Sequence, residues 1–107
     1  MKYLITESQL DKVIFRYLNN RDFIQIDIND SIYFVISEDE EYAQIRYDDE
    51  LCYINLNLIT EISSFFSLGE SDCEEVIGRW VENTLQMRVT NTCSDSRFCW
   101  WELKIPN

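Results

Sequence analysis

The chain has 107 residues, with 20 Asp and Glu against 9 Lys and Arg and no His, for a formal net charge of -11. Hydrophobic residues make up 46% and aromatics 14%. That is enough to bury a core, so the acidity does not signify disorder, and the length fits a single domain, 1–107. The charge is unevenly placed: residues 22–75 hold fifteen acids and one base, Arg46, whereas 1–21 are net +2 and 76–107 net +1. Such a middle repels nucleic acid and anionic membrane and attracts basic proteins.

Thr6 followed by Gln9 forms a capping box. Leu10, Val13, Ile14, Tyr17 and Leu18 then keep the spacing of an amphipathic helix that ends at Asn19-Asn20. From Phe23 the period becomes two, and Ile24, Ile26 and Ile28 alternate with Gln25 and Asp27 as a half-buried strand. Asn29-Asp30 turns the chain into a second strand whose inward row is Ile32, Phe34 and Ile36. Tyr33 and Val35 take its other face. Glu38, Asp39, Glu40 and Glu41 form a solvated connection. Ala43, Ile45 and Tyr47 mark a third strand, Asp48, Asp49 and Glu50 a turn, and Leu51–Ile54 a fourth strand.

Leu58, Ile59, Ile62, Phe65 and Phe66 predict a second helix stopped at Gly69. Ser71 with Glu74 predicts the cap of a third, whose apolar stripe is Val76, Ile77, Trp80, Val81 and Leu85. Met87 and Val89 read as a strand, Asn91–Ser96 as a turn, and Arg97–Ile105 as a last strand ended by Pro106. Cys99, Trp101, Leu103 and Ile105 would share one of its faces. The expected order is α-ββββ-αα-ββ. It describes an α+β domain with an antiparallel sheet, made of a four-strand meander and a C-terminal hairpin, and helices on one side.

The opening Met1-Lys-Tyr-Leu-Ile-Thr-Glu-Ser-Gln-Leu10 and its continuation Asp11–Leu18 resemble the start of many short proteins of large tailed bacteriophages. Those often begin with an apolar strand and an Ile-Thr-Glu-x-Gln-Leu helix start. The resemblance covers about the first twenty residues. It implies a phage origin, with a virion or host-takeover role, and brings no catalytic residue with it.

Without His, the usual general base and metal ligand is missing. Gly69 and Gly78, the only glycines, do not sit in a phosphate-binding turn. Asp48, Asp49 and Glu50, near Asp30 at one sheet end, would be the best carboxylate group for a cation, but they lack the order of a calcium loop. Ordinary turn chemistry is the competing reading. Cys52, Cys73, Cys93 and Cys99 lack zinc-site spacing. They read as small core residues, with a Cys93–Cys99 disulfide open in an oxidising compartment. No cofactor or metal site is expected. With no secretory signal or membrane-length apolar stretch, the expected setting is the cytoplasm, or a virion if phage-encoded.

The aromatics carry the sharper expectation. Phe23, Tyr33, Val35, Tyr42, Phe98 and Trp100 would lie on the sheet face away from the helices, among Gln25, Asp27, Gln44, Arg46, Glu102 and Lys104. Aromatic anchors in a polar surround suit a protein–protein interface; the alternative is a second core covered by a loop or helix. The leading functional expectation is therefore a small acidic, non-enzymatic interaction protein with a basic protein partner or a homo-oligomeric state, and with no direct nucleic-acid or membrane contact. A nucleic-acid-mimicking inhibitor of a basic enzyme is the first alternative, and a carboxylate-based enzyme the second.

Overall fold

The computed structural model describes residues 7–94 and 100–106, and the side chains of 9–94 and 101–106. Three helices accompany a five-stranded mixed sheet. Helix α1 (Glu7–Asn19) leads into β1 (Ile24–Ile28), β2 (Ser31–Val35), β3 (Ile45–Asp48) and β4 (Leu51–Ile54). Then follow α2 (Leu56–Phe66), α3 (Glu70–Leu85), β5 (Asn91–Cys93) and a 3-10 helix, Trp100–Leu103. The expected Thr6 cap lies outside the described residues.

The spatial strand order is β1-β2-β3-β4-β5. The first four strands form the expected antiparallel meander. Two two-residue turns drive it. Asn29 and Asp30 have φ of 49° and 67°, and Asp49 and Glu50 have 46° and 67°. Two successive left-handed residues are the hairpin geometry that matches strand twist.

These short turns also decide which side chains share a face. The first pairs Ile28 with Ser31, so Ile26 meets Tyr33 and Ile24 meets Val35. The isoleucine row of β1 therefore lies with Tyr33 and Val35, on the face away from the helices. It does not join Ile32 and Phe34, the row the sequence reading expected it to extend. Paired residues point to the same side, and a two-residue loop necessarily pairs even numbers with odd.

The C-terminal third departs from expectation. Residues 87–90 are not a strand, and β5 pairs with β4 in parallel, Cys52 opposite Thr92, so among the described residues no C-terminal hairpin closes the sheet. A parallel neighbour needs a long crossover, which α2 and α3 supply. Gly78 lets β5 approach α3: a Cβ there would lie 3.0 Å from Thr92 Cγ2. Residues 100–103 form a 3-10 turn where strand was expected, and only Lys104 bridges, to Tyr42.

The helix ends differ too. Asn55 caps α2, its side chain accepting from the Asn57 N–H at 2.9 Å. Ser67, at φ 55°, terminates that helix in place of Gly69, which instead sits at the N-cap of α3, where Ser71 was expected. Both glycines have negative φ; the left-handed positions among the described residues fall to Asp, Asn, Glu, Ser and Gln.

Two cores result. The larger joins Ile14 and Leu18 of α1, Phe34, Ile45, Tyr47 and Ile54 of the sheet, and the stripes of α2 and α3 centred on Ile59, Ile62, Ile77 and Trp80. The smaller lies on the opposite sheet face, where Leu103 covers Tyr33, Val35 and Ala43. No helix among the described residues is long and apolar enough to cross a membrane.

Candidate interaction surfaces

The smaller core answers the aromatic expectation directly. Tyr33 and Val35 are 2% and 0% exposed, so neither offers an interface. The covering element is the C-terminal segment itself. The Ala43 N–H donates to the Leu103 carbonyl at 2.7 Å, and the Ile105 N–H donates to the Glu41 carbonyl at 2.9 Å. Tyr42 is half-buried in the same cluster, beside its bridge to Lys104. Phe23 packs on the helix side, its ring 6.2 Å from Phe34 and 5.5 Å from Trp80. It borders a cleft of about 280 Å³ rimmed by Asp22 and Gln25. Phe98 and the Trp100 side chain lie outside the described residues.

One residue organises this covered face, and the sequence reading placed it in the polar surround without a role. Arg46, the sole base of the acidic middle, projects between the rings of Tyr33 and Tyr53, 5.4 and 5.7 Å from their centroids. Its Nη1 donates to the Glu102 carboxylate at 2.6 Å and to the Glu102 carbonyl at 3.0 Å. Its Nη2 donates to Asp48 and to the Ser31 hydroxyl, both at 2.9 Å. A guanidinium suits this role because it stacks on rings while its fork donates in plane. Arg46 thus pins the covering segment to the sheet. Burial, with the Glu102 and Asp48 carboxylates, raises the Tyr53 phenol above its ordinary value, and Arg46 partly offsets the rise.

The other paired arginines are also turned onto acids. Arg79 grips Asp11 with two hydrogen bonds, at 2.7 and 2.9 Å. Arg21 pairs with Glu61, which also accepts from the Tyr17 hydroxyl at 2.5 Å. Ion pairs therefore run from the weakly basic terminal segments into the acidic middle and between each other.

The acidic side chains singled out from sequence divide into two kinds. Asp48 is held by Arg46, and Glu40 accepts from the Ile36 N–H at 3.2 Å and from the Gln44 amide at 3.3 Å. Glu38, Asp39, Glu41 and Asp49 stand exposed and Glu50 is half-buried. The meander puts Glu38–Glu41 at one end of the sheet and Asp48–Glu50, with Asp30, at the other. The carboxylates do not run as one stripe along a strand.

A further acidic surface went unnoticed in the sequence. Helix α3 and the stretch Val89–Thr92 enclose a groove of about 430 Å³. Glu74, Glu75 and Glu82 line its helical wall, with Arg79 between them. Glu74 also accepts from the Ser94 hydroxyl, which joins the groove's upper edge to the end of β5. The spacing 71, 74, 75, 78, 82 is one face of a helix. That spacing is present in the sequence, but the groove's second wall depends on the parallel β5, which the sequence pattern of residues 91–96 presents as a turn.

Among the described residues, no group of three or more Cys, Asp or Glu could hold a metal ion. Cys52 and Cys73 are buried free thiols. Burial, helped by Glu74, pushes the Cys52 thiol up to about 12, and burial with Asp72, Glu70 and Glu74 raises Cys73. Neither is a poised nucleophile. Cys93 is disulfide-bonded, and Cys99 lies outside the described residues. Comparison with known proteins found no matching family model, curated protein or solved structure.

Proposed function

We propose that this chain is a small acidic, non-enzymatic interaction module that docks a basic segment of another protein in the α3–β5 groove. The observation that carries the reading is the fate of the charges. Arg21, Arg46 and Arg79 are engaged inside the fold, while Glu75 and, at the two sheet ends, Glu38, Asp39, Glu41 and Asp49 are exposed. Cationic side chains of a segment lying along the groove meet Glu74 and Glu75 toward one end of its helical wall and Glu82 toward the other, with Arg79 between them turned onto Asp11, and a concave wall focuses the field of the carboxylates. The enzyme alternative fares worse, because the inward carboxylates Asp48 and Glu40 already have structural partners. The nucleic-acid mimic needs regularly spaced charge along one surface, whereas the sheet carboxylates cluster at opposite ends. A phage virion or host-takeover setting, suggested by the N-terminal resemblance, suits such docking.

Titrating an arginine-rich peptide into isotope-labelled protein and following amide shifts tests the reading. Shifts should concentrate at residues 71–82 and 89–92 and retreat as salt is raised. Shifts spread evenly over Glu38–Glu41 and Asp49, or unaffected by salt, would contradict it.

A further inference from the structure

We infer that the free edge of β1 pairs with β1 of a second copy, making one continuous sheet across a two-fold axis at Ile26. Among the described residues β1 pairs only with β2, so it is an edge strand of the described sheet. Its row Ile24, Ile26 and Ile28 packs against the smaller core yet stays half-exposed at the margin of that core. The edge has little of the usual protection: no Pro, no Lys, and a single charge, Asp27.

The hairpin geometry fixes which backbone groups point outward. The turn closes on the Ile28–Ser31 pair, so Ile24, Ile26 and Ile28 direct their N–H and C=O groups to β2. Gln25 and Asp27 direct theirs to the open side. An antiparallel copy can therefore bond only through these two residues. With the axis at Ile26, Gln25 of each copy bonds Asp27 of the other, giving two hydrogen-bonded pairs. Ile26 faces its own copy, and Ile24 faces Ile28, so six isoleucines join on one face. Moving the register by two residues one way sets Asp27 against Asp27; moving it the other way leaves Ile28 unmatched. The segment Ile-Gln-Ile-Asp-Ile is self-complementary in only this register, with an amide opposite each carboxylate.

The opposing force is electrostatic. Each copy has net charge -11, and the pairing brings Asp22 of one copy toward Asp30 of the other. Salt relieves that repulsion, so dimerisation should strengthen with salt, the reverse of basic-peptide docking. The two ideas thus fail independently.

Light scattering across a wide concentration range, at low and high salt, reads the result. Mass should rise from 12.9 kDa toward twice that value, and further at high salt. Gln25 is exposed, so its variants should fold. Gln25→Lys, which faces Asp27 of the second copy, should tighten the dimer about tenfold, and Gln25→Asp should weaken it at least as much. A monomer under all conditions overturns the inference, as does a dimer indifferent to both variants. So does slow exchange of the Gln25 and Asp27 amides in a monomeric sample, which would give the edge to another segment of the same chain.

Discussion

Replacing Arg46 with Met removes the one cation of the acidic middle while keeping much of its volume. The side chain is 16% exposed and makes hydrogen bonds to Ser31, Asp48 and Glu102. Its acceptors are not equally dependent on it. Asp48 and Glu102 side chains are 39% and 44% exposed, so water replaces most of what they lose. Ser31 is 2% exposed, and its hydroxyl would be stranded at a cost of about 1–3 kcal/mol. Loss of the two ring contacts adds about 0.5–1 kcal/mol each. Arg46→Met should therefore destabilise by about 2–5 kcal/mol, and Glu102→Gln, which leaves the backbone acceptor in place, by less than about 1 kcal/mol. Urea unfolding gives both values. Hydrogen exchange gives the mechanism: the Ala43 and Ile105 amides, which tie the C-terminal segment to the sheet, should lose protection before the amides of α1. A Met variant within about 0.5 kcal/mol of the parent, with those amides still protected, would refute the assignment of Arg46 as the pin.

Other substitutions probe the scaffold. Glu50 holds φ 67° in a turn position that favours glycine; Glu50→Gly should stabilise by about 0.5–1 kcal/mol in urea, and a loss of stability would contradict the turn assignment. Gly78→Val should cost about 1–3 kcal/mol and strip exchange protection from β5, because even a Cβ meets Thr92 at 3.0 Å. For Cys52, burial favours the neutral thiol in the folded state, raising its pKa from 9.0 to about 12. That contribution is complete below pH 9 and is lost as pH rises toward 12. The parent should lose stability relative to Cys52→Ala across this window and keep a constant difference below it.

Much of the architecture was legible locally. Helical spacing marked all three helices, and Asn29-Asp30 and Asp48–Glu50 marked the meander turns. The face of β1 was misassigned: alternation within one strand does not say which face it serves, and only the two-residue loop, which pairs Ile26 with Tyr33, puts the isoleucine row away from the helices. The parallel β4–β5 pair was not legible, because it depends on a crossover and on the space Gly78 leaves for Thr92. The C-terminal alternation of Trp101, Leu103 and Ile105 imitated a strand, yet only Leu103 is fully buried while Trp101 is 69% exposed. A short segment crossing a sheet face needs one anchor and a few backbone bonds rather than a ladder. The aromatic surface expected at Tyr33 and Val35 failed for that reason, since their cover comes from the far end of the chain. Arg46 announced itself as a lone base among fifteen acids, but its partners in β2 and residues 100–103 emerge only in three dimensions.

The docking proposal meets its most direct test in a comparison of two variants of equal charge. Glu75→Gln/Glu82→Gln neutralises the groove, and Glu38→Gln/Asp39→Asn neutralises the exposed loop at a sheet end. Affinity for an arginine-rich peptide is measured by fluorescence anisotropy at fixed salt. If the groove is the site, the first variant should lose about tenfold, near 1.4 kcal/mol, and the second less than about twofold. Equal losses would mean that the peptide senses net charge alone, and the groove would not be a docking site.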